Sequence, residues 1–247
     1  MFIILGIVIV VGIVILLFFL GEVGVDSAVE LGPKVFVGKC VRDAVEESVE
    51  KILIGGGEIV PSQSILYQGE KWNYLCYHAD YFLSCYNLYP MLEKRIEEEI
   101  RLDTMDEVQD CFDAVAIDFE NSGFDVSGGA TNYSIDLLPG KVDINLKKSI
   151  EVVREGAVER FEDFDSSFLS SVYNLVGVAR TVVNAEAQNC FFEYNSYMLM
   201  YPEYDVRRTD YFGSKIYRLV DRVTGDEFRF AVRTCATEKV PSVEVVE

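Results

Sequence analysis

Basic residues are scarce in this chain, and it has a single histidine, His78. Its 247 residues include 22 Lys and Arg against 41 Asp and Glu, which gives a net charge of −19. Nucleic acids bind proteins through cationic side chains that release counterions from phosphate, so this balance excludes nucleic acid as a partner. It also disfavours attraction to an anionic lipid surface.

Short catalytic motifs are missing as well. The sequence has no G-x-S-x-G elbow, no H-E-x-x-H pair, no G-x-G-x-x-G loop and no Walker loop. The glycines at 55–57 follow an apolar helical pattern instead of preceding one, so they are not a phosphate loop. We therefore predict no catalytic residue, no cofactor and no metal; a zinc site made by Cys76, His78 and Cys85 is the alternative.

Charged residues are also absent from residues 2–20, which are all Ile, Val, Leu, Phe or Gly. An α-helix of this length spans about 28 Å, close to the hydrocarbon thickness of a bilayer. It has no polar stripe, no basic n-region and no small-residue cleavage site. We therefore interpret it as a retained transmembrane or filament-core helix, with a cleaved signal as the alternative. The next residues include Glu22, Asp26 and Glu30 but no base, which predicts that the body lies outside the cytoplasm.

The first ten residues, Met1-Phe2-Ile3-Ile4-Leu5-Gly6-Ile7-Val8-Ile9-Val10, resemble the N-terminal helix of archaeal type IV pilins and related surface proteins. In that family the apolar helices pack against one another along a filament axis. The resemblance implies a filament subunit, and the expected helix-packing residues are Phe2, Gly6, Gly12 and Phe18. The whole chain is also similar to single-pass surface proteins of small-genome archaea, a resemblance that implies an anchored body but carries no known activity.

Six cysteines, an even number, indicate disulfides on the outer side of a membrane. Spacing alone leaves 15 pairings open. Sequence position favours three: Cys40 with Cys111, on the apolar faces of two predicted helices; Cys76 with Cys85, around a short aromatic stretch; and Cys190 with Cys235, flanking the C-terminal strands.

Helical and strand-like patterns come in blocks without strict alternation, which predicts an α+β body. Apolar spacing predicts helices over 35–54, 91–119 (one helix or a broken pair) and 168–187. Strand patterns occupy 65–89, 133–164 and 215–234, the last with a hairpin at 222–226. A loop at 121–130 divides the expected domains, which are 1–21 (the hydrophobic helix), 22–120 and 121–247.

Two groups of aromatic residues have two interpretations, ordinary β-core packing and a contact surface. The first group is Trp72, Tyr74, Tyr77, Tyr81, Phe82, Tyr86 and Tyr89, and the second is Tyr194, Tyr197, Tyr201, Tyr204, Tyr211 and Phe212. In the first group, strict alternation puts Trp72, Tyr74 and Cys76 on one strand face and Leu75 and Tyr77 on the other. The interface residues that we expect from both groups are Trp72, Tyr74, Tyr77, Tyr81, Tyr197, Tyr201 and Tyr204. The run Asn132-Tyr133-Ser134 is an N-glycosylation acceptor sequence in a predicted loop.

These features predict a non-enzymatic cell-surface protein with an extracytoplasmic, disulfide-bonded body and structural or adhesive contacts. Residues 2–20 would contact membrane lipid or copies of themselves, and a surface glycan or a protein would be the further partner. A pilin-like filament subunit and an anchored monomer are both open at this point. The alternatives from other classes are a glycan- or protein-binding ectodomain and a membrane-tethered hydrolase.

Overall fold

The computed structural model describes residues 32–237, which form a mixed α+β structure. The expected N-terminal helix over 2–20, with Phe2, Gly6, Gly12 and Phe18, lies outside this range. Among the residues that the structure does describe, no helix is long and apolar enough to cross a bilayer. The α+β class predicted from the sequence is confirmed.

Five helices occur between residues 32 and 237. They are α1 (Pro33–Gly55), α2 (Leu92–Asp103), α3 (Met105–Asn121), α4 (Val172–Asn189) and α5 (Tyr194–Met200). Proline at the first position of α1 leaves no N–H unpaired there, and Gly56 ends the helix in the left-handed conformation (φ 68°). Thr104 separates α2 from α3, so the predicted segment 91–119 is a broken pair.

The first sheet has six strands, and both halves of the chain contribute to it. Its strands are β1 (Ser64–Tyr67), β2 (Glu70–Tyr77), β3 (Tyr86–Asn87), β9 (Tyr204–Tyr211), β10 (Ser214–Asp221) and β11 (Glu227–Arg233). The order across the sheet is β1-β2-β11-β10-β9, with β3 paired to the end of β2. The β2–β11 pair is parallel and the others are antiparallel. Helices α1 and α4 pack on one face, which we call the inner face.

An irregularity in β2 overturns the strict alternation expected for this strand. Ala231 of β11 pairs with Tyr74 and the next residue, Val232, pairs with Cys76, so Leu75 is the extra residue of a β-bulge. Leu75 and Cys76 therefore both belong to the inner core. Tyr77 returns to the outer face, where it packs with Trp72 and Tyr74, against the sequence expectation.

The second sheet is built around one long strand. Its strands are β4 (Asp125–Gly128), β5 (Asn132–Leu138), β6 (Lys141–Arg154), β7 (Ala157–Asp163) and β8 (Ser166–Leu169). Strands β5 and β8 pair with the first half of β6, and β4 and β7 pair with its second half. All four pairings are antiparallel, and α2 and α3 pack against β5 and β4.

One hydrophobic core connects the two sheets. Val41 of α1, Leu75 of the first sheet and Ile144 of the second belong to the same cluster of buried side chains. The boundary that we expected at 121–130 therefore does not separate two cores, because strands on either side of it share a sheet and a core. Residues 32–237 pack as one body around α1.

Candidate interaction surface

A short disulfide-bonded loop projects from one end of the first sheet. Cys76 and Cys85 close it, with their Cα atoms 5.4 Å apart. The Phe82 N–H donates to the Ala236 carbonyl oxygen (3.2 Å), and the Cys235 N–H donates to the Leu83 carbonyl oxygen (2.7 Å). The chain leaving β11 thus holds the loop in place. Cys235 is itself bonded to Cys190, which follows α4.

Arg233, the last residue of β11, joins this loop to the β9–β10 turn. Its side chain is close to fully buried, since the residue is only 7% exposed. The guanidinium donates to the carbonyl oxygens of Ala79 and Gly213, both at 3.4 Å. It also lies over the ring of Tyr81, an arrangement in which the cation is attracted to the π face.

The side chains at this end are large, apolar and turned to solvent. We call them the loop patch: Tyr81, Phe82, Leu83, Tyr86 and Phe212 are its members. Phe82 is 73% exposed and Tyr86 is 71% exposed. Several large apolar side chains exposed at one end of a sheet favour a contact site, because leaving apolar surface in water is unfavourable.

Residues with a strained backbone conformation are concentrated at the same end of the sheet. Phe82 (φ 61°), Cys190 (56°), Phe212 (46°) and Cys235 (42°) are four of the six non-glycine residues with positive φ between residues 32 and 237. A bulky L-residue in this region costs about 1–2 kcal/mol, so surrounding contacts must impose it. Strain of this kind concentrates at functional sites and favours a contact role for the loop patch.

A buried polar cluster supports this end from the inner side. Glu186 of α4 is completely buried and accepts hydrogen bonds from the Tyr217 hydroxyl and from Lys215 Nζ (2.6 Å). Burial raises the pKa of Tyr217 far above its usual value, and the Glu186 carboxylate adds to the rise. Tyr217 therefore stays a proton donor at every physiological pH. The cluster ties α4 to β10 and fixes the base of the loop patch.

The interface residues expected from the first aromatic group divide into two sets. Trp72 and Tyr74 are buried in a small cluster on the outer face of the sheet, and Tyr77 is half-buried beside them. The Tyr74 hydroxyl is 2.8 Å from Ser214 Oγ. Burial raises the pKa of Tyr74, although this hydrogen bond opposes the shift. Of the expected set, Tyr81 alone reaches the loop patch.

The interface residues expected from the second aromatic group lie at the opposite end of the sheet. Tyr197 and Tyr204 are half-buried, whereas Tyr201 is exposed and its ring lies 4.7 Å from that of Tyr197. Burial raises the pKa of Tyr197 to about 12, and the neighbouring Tyr204 and Tyr201 hydroxyls add to the shift. These tyrosines flank Leu199 and Met200, two strongly exposed residues at the end of α5.

A shallow depression of about 490 Å³ lies on the outer face of the same sheet. Tyr67, Trp72, Arg218, Glu227 and Arg229 are among its lining residues. Glu227 accepts hydrogen bonds from Arg218 and Arg229. Burial alone would raise the pKa of Glu227, but these two guanidinium groups together lower it. The depression combines aromatic surface with charged donors and acceptors.

Neither a zinc site nor a cysteine nucleophile can form at His78. Cys76 and Cys85 are bonded to each other, and all six cysteines are in disulfides. His78 Nδ1 accepts from the Asp80 N–H (3.0 Å), and its ring packs beside Tyr86. Residues 32–237 contain no cluster of three side chains suited to a metal. The three disulfides join the same partners that sequence position favoured.

The acceptor sequence at Asn132 opens β5 instead of lying in a loop. Asn132 is exposed, and a cavity of about 450 Å³ beside it is also lined by Arg101, Met105 and Tyr133. Burial raises the pKa of Tyr133 to about 12, although a hydrogen bond with Thr104 opposes the shift. The Asn132 side chain is accessible to a modifying enzyme, with the half-buried Tyr133 holding the strand in place.

The sequence placed Phe82, Tyr86 and Phe212 in the two aromatic groups but not among the expected interface residues, and it gave Leu83 no role. The available signal was the run from Tyr81 to Leu92, which has no Asp, Glu, Lys, Arg or His in a chain that is 26% charged. Comparison with known proteins finds no matching family, no similar curated protein and no similar solved structure.

Proposed function

We propose that this protein is a non-enzymatic cell-surface protein of structural or adhesive type. Its apolar segment 2–20 holds it in the membrane or in a filament, its body lies outside the cytoplasm, and the loop patch makes its contacts. The observation that carries the proposal is the loop patch itself, five exposed apolar side chains on a loop fixed by Cys76–Cys85 and Arg233.

Three disulfides support the extracytoplasmic part of the proposal. Disulfides persist in oxidising compartments and are rare where glutathione keeps thiols reduced. Cys40–Cys111 crosslinks α1 to α3, and the other two bonds fix the loop patch. A body whose contact surface depends on two disulfides keeps that surface only outside a reducing compartment.

Labelling of intact cells that express the full chain tests the location. We expect a membrane-impermeant amine reagent to modify exposed Lys71, and non-reducing peptide mapping to recover the three cysteine pairs. Free thiols, or labelling only after lysis, would overturn the proposal. Electron microscopy of shed material then separates a filament subunit from an anchored monomer, which yields no filaments.

A second candidate function, a glycan-binding ectodomain, is favoured by the outer-face depression. Its paired Arg218 and Glu227 can hydrogen-bond sugar hydroxyls, and Tyr67 offers a ring edge beside them. We expect Arg218→Ala to abolish binding to an oligosaccharide panel if this function is correct, and Phe82→Ala to leave that binding unchanged. The reverse pattern assigns binding to the loop patch. No observation favours the hydrolase alternative.

A further inference from the structure

A second uncharged apolar surface lies at the end of the first sheet opposite to the loop patch. Leu199, Met200 and Tyr201 at the end of α5, with Val223 of the β10–β11 turn, form it, and we call them the helix patch. Leu199 and Val223 are each 85% exposed. The two segments are neighbours, because Arg222 makes two hydrogen bonds between them. Its guanidinium donates to the Pro202 carbonyl oxygen (2.8 Å), and its backbone N–H donates to the Glu203 carbonyl oxygen (2.8 Å).

The two patches are separated by the length of β10. Phe212 precedes Ser214, where the strand begins, and Val223 follows Asp221, where it ends. The seven steps between the eight residues of this strand, at about 3.3 Å each, place the patches roughly 23 Å apart on opposite ends of one sheet. A single copy therefore cannot cover one patch with the other.

Charge limits the partners that can approach these ends. The runs from Tyr81 to Leu92 and from Tyr194 to Pro202 contain no Asp, Glu, Lys, Arg or His, although the chain has a net charge of −19. Two copies repel each other over most of their surface, and this repulsion is weakest where charge is absent. The two patches are thus the surfaces through which copies can meet with least repulsion and most apolar burial.

The rims of the patches favour contact between unlike ends. Exposed Asp80 and Asp210 border the loop patch, and Arg208 lies 3.4 Å from the Asp210 carboxylate and offsets its charge. Two loop patches face to face would therefore oppose the two Asp80 carboxylates. At the helix patch, exposed Arg207 and Arg222 offset Glu203 and Asp205. A loop patch therefore meets less repulsion at a helix patch than at another loop patch.

We infer that the loop patch of one copy binds the helix patch of a second copy, so that copies join head to tail. The inference rests on the proposed structural function and names its partner as this same chain. Because the two surfaces differ, each added copy leaves one of each exposed, and such a contact builds chains or rings of copies instead of symmetric pairs. The disulfides and Arg233 hold the loop patch in one conformation before a partner binds, so less conformational entropy is lost on binding.

Two charge-introducing variants test the inference on the full chain in detergent. Phe82→Glu alters the loop patch and Leu199→Glu alters the helix patch, both at exposed positions where the fold tolerates a charge. Val158→Glu, at an exposed valine on β7 of the other sheet, is the matched control. Sedimentation velocity over a range of concentrations measures the size of the species.

We expect wild type and Val158→Glu to form a concentration-dependent series of oligomers. Each patch variant alone should weaken association about tenfold or more. A mixture of the two should form one-to-one pairs and nothing larger, because one intact loop patch and one intact helix patch remain between them. Tyr86→Glu and Val223→Glu should repeat these results.

Three results would overturn head-to-tail joining. They are a monomeric wild type, variants that associate like wild type through segment 2–20, and Leu199→Glu copies that still pair through their loop patches. None of these results changes the expected labelling of intact cells or the disulfide map. Failure of this inference is therefore distinguishable from failure of the proposed function.

Discussion

The guanidinium carbon of Arg233 lies 5.5 Å from the centre of the Tyr81 ring. Arg233 belongs to β11 and Tyr81 to the loop after β2, so this contact connects the parallel pair of strands to the surface that we propose for binding. The same guanidinium reaches two backbone carbonyl oxygens, at Ala79 and Gly213. One side chain thus sets the relative position of the loop and the β9–β10 turn.

Arg233→Lys should loosen the loop patch. A single ammonium group cannot span both carbonyl oxygens, so one anchor is lost, at a cost of about 1–3 kcal/mol. Native-state amide exchange should accelerate at Phe82 and Cys235, whose N–H groups bond within this assembly. Arg207→Lys, at an exposed position on β9, is the control. Unchanged exchange at Phe82 would show that the disulfides alone hold the loop.

The buried carboxylate of Glu58 makes the stability of the fold depend on pH. It is 3% exposed and accepts hydrogen bonds from the Ser62 N–H (2.8 Å), the Tyr89 hydroxyl (3.0 Å) and Arg95 (2.6 Å). Burial alone would raise the pKa of Glu58, but the hydrogen bonds and the Arg95 charge together lower it. Its stabilisation is therefore complete above the ordinary carboxyl pKa of 4.5 and disappears as pH falls through the lower native value.

Glu58→Gln tests this dependence. Urea unfolding at pH 7 should show a loss of about 1–3 kcal/mol, and the difference from wild type should shrink below pH 4.5. Glu159→Gln, at an exposed position on β7, should change little at either pH. A difference that stays constant with pH would mean that packing, not ionisation, makes the contribution.

The disulfides should differ in their effect on stability. Cys40–Cys111 spans 71 residues and Cys76–Cys85 spans 9. A longer closed loop removes more entropy from the unfolded chain, so replacing the first pair by alanine should cost about 4 kcal/mol and replacing the second about 2.5 kcal/mol. Urea unfolding of the two double variants measures both values. Equal losses would contradict the loop-length argument.

Gly56→Ala should be strongly destabilising. Gly56 has φ 68°, and a Cβ there would lie 2.5 Å from the carbonyl oxygen of Arg229. The left-handed conformation costs about 1–2 kcal/mol for alanine, and displacement of β11 adds to it, so we expect a loss of about 3 kcal/mol or more. Gly69→Ala isolates the conformational part, since Gly69 has φ 87° and open space around it. Equal melting temperatures for the two variants would exclude the clash.

Asn132 should be modified when the chain passes through a compartment that glycosylates asparagine. Intact-mass measurement of surface-expressed protein should show an added glycan that either Asn132→Gln or Ser134→Ala removes, because the acceptor sequence needs both residues. Asn121→Gln, outside any acceptor sequence, should leave the mass increment in place. An unmodified wild-type chain from such a compartment would refute the assignment.

Local patterns in the sequence were sufficient for four of the five helices between residues 32 and 237 and for the fold class, whereas α5 (Tyr194–Met200) was not predicted. The apolar spacing of Val37, Val41 and Val45 identified α1, and each is completely buried. The bulge at Leu75 was not predictable, because the strand pattern contains no proline or glycine to mark it. The sequence left the exposure of Phe82 undecided, since an aromatic residue in a β-like stretch normally enters the core. Its position depends on contacts with Ala236, which is distant in sequence.

The parallel pairing of β2 with β11 sets the earliest moment at which this body can form during synthesis. β2 ends at Tyr77 and its parallel neighbour β11 begins only at Glu227, so the ribosome must deliver all the residues between them before the two strands can pair. Until then the nascent polypeptide keeps its apolar face uncovered. Deletion of β11 should therefore leave β2 without its parallel neighbour and prevent the first sheet from assembling.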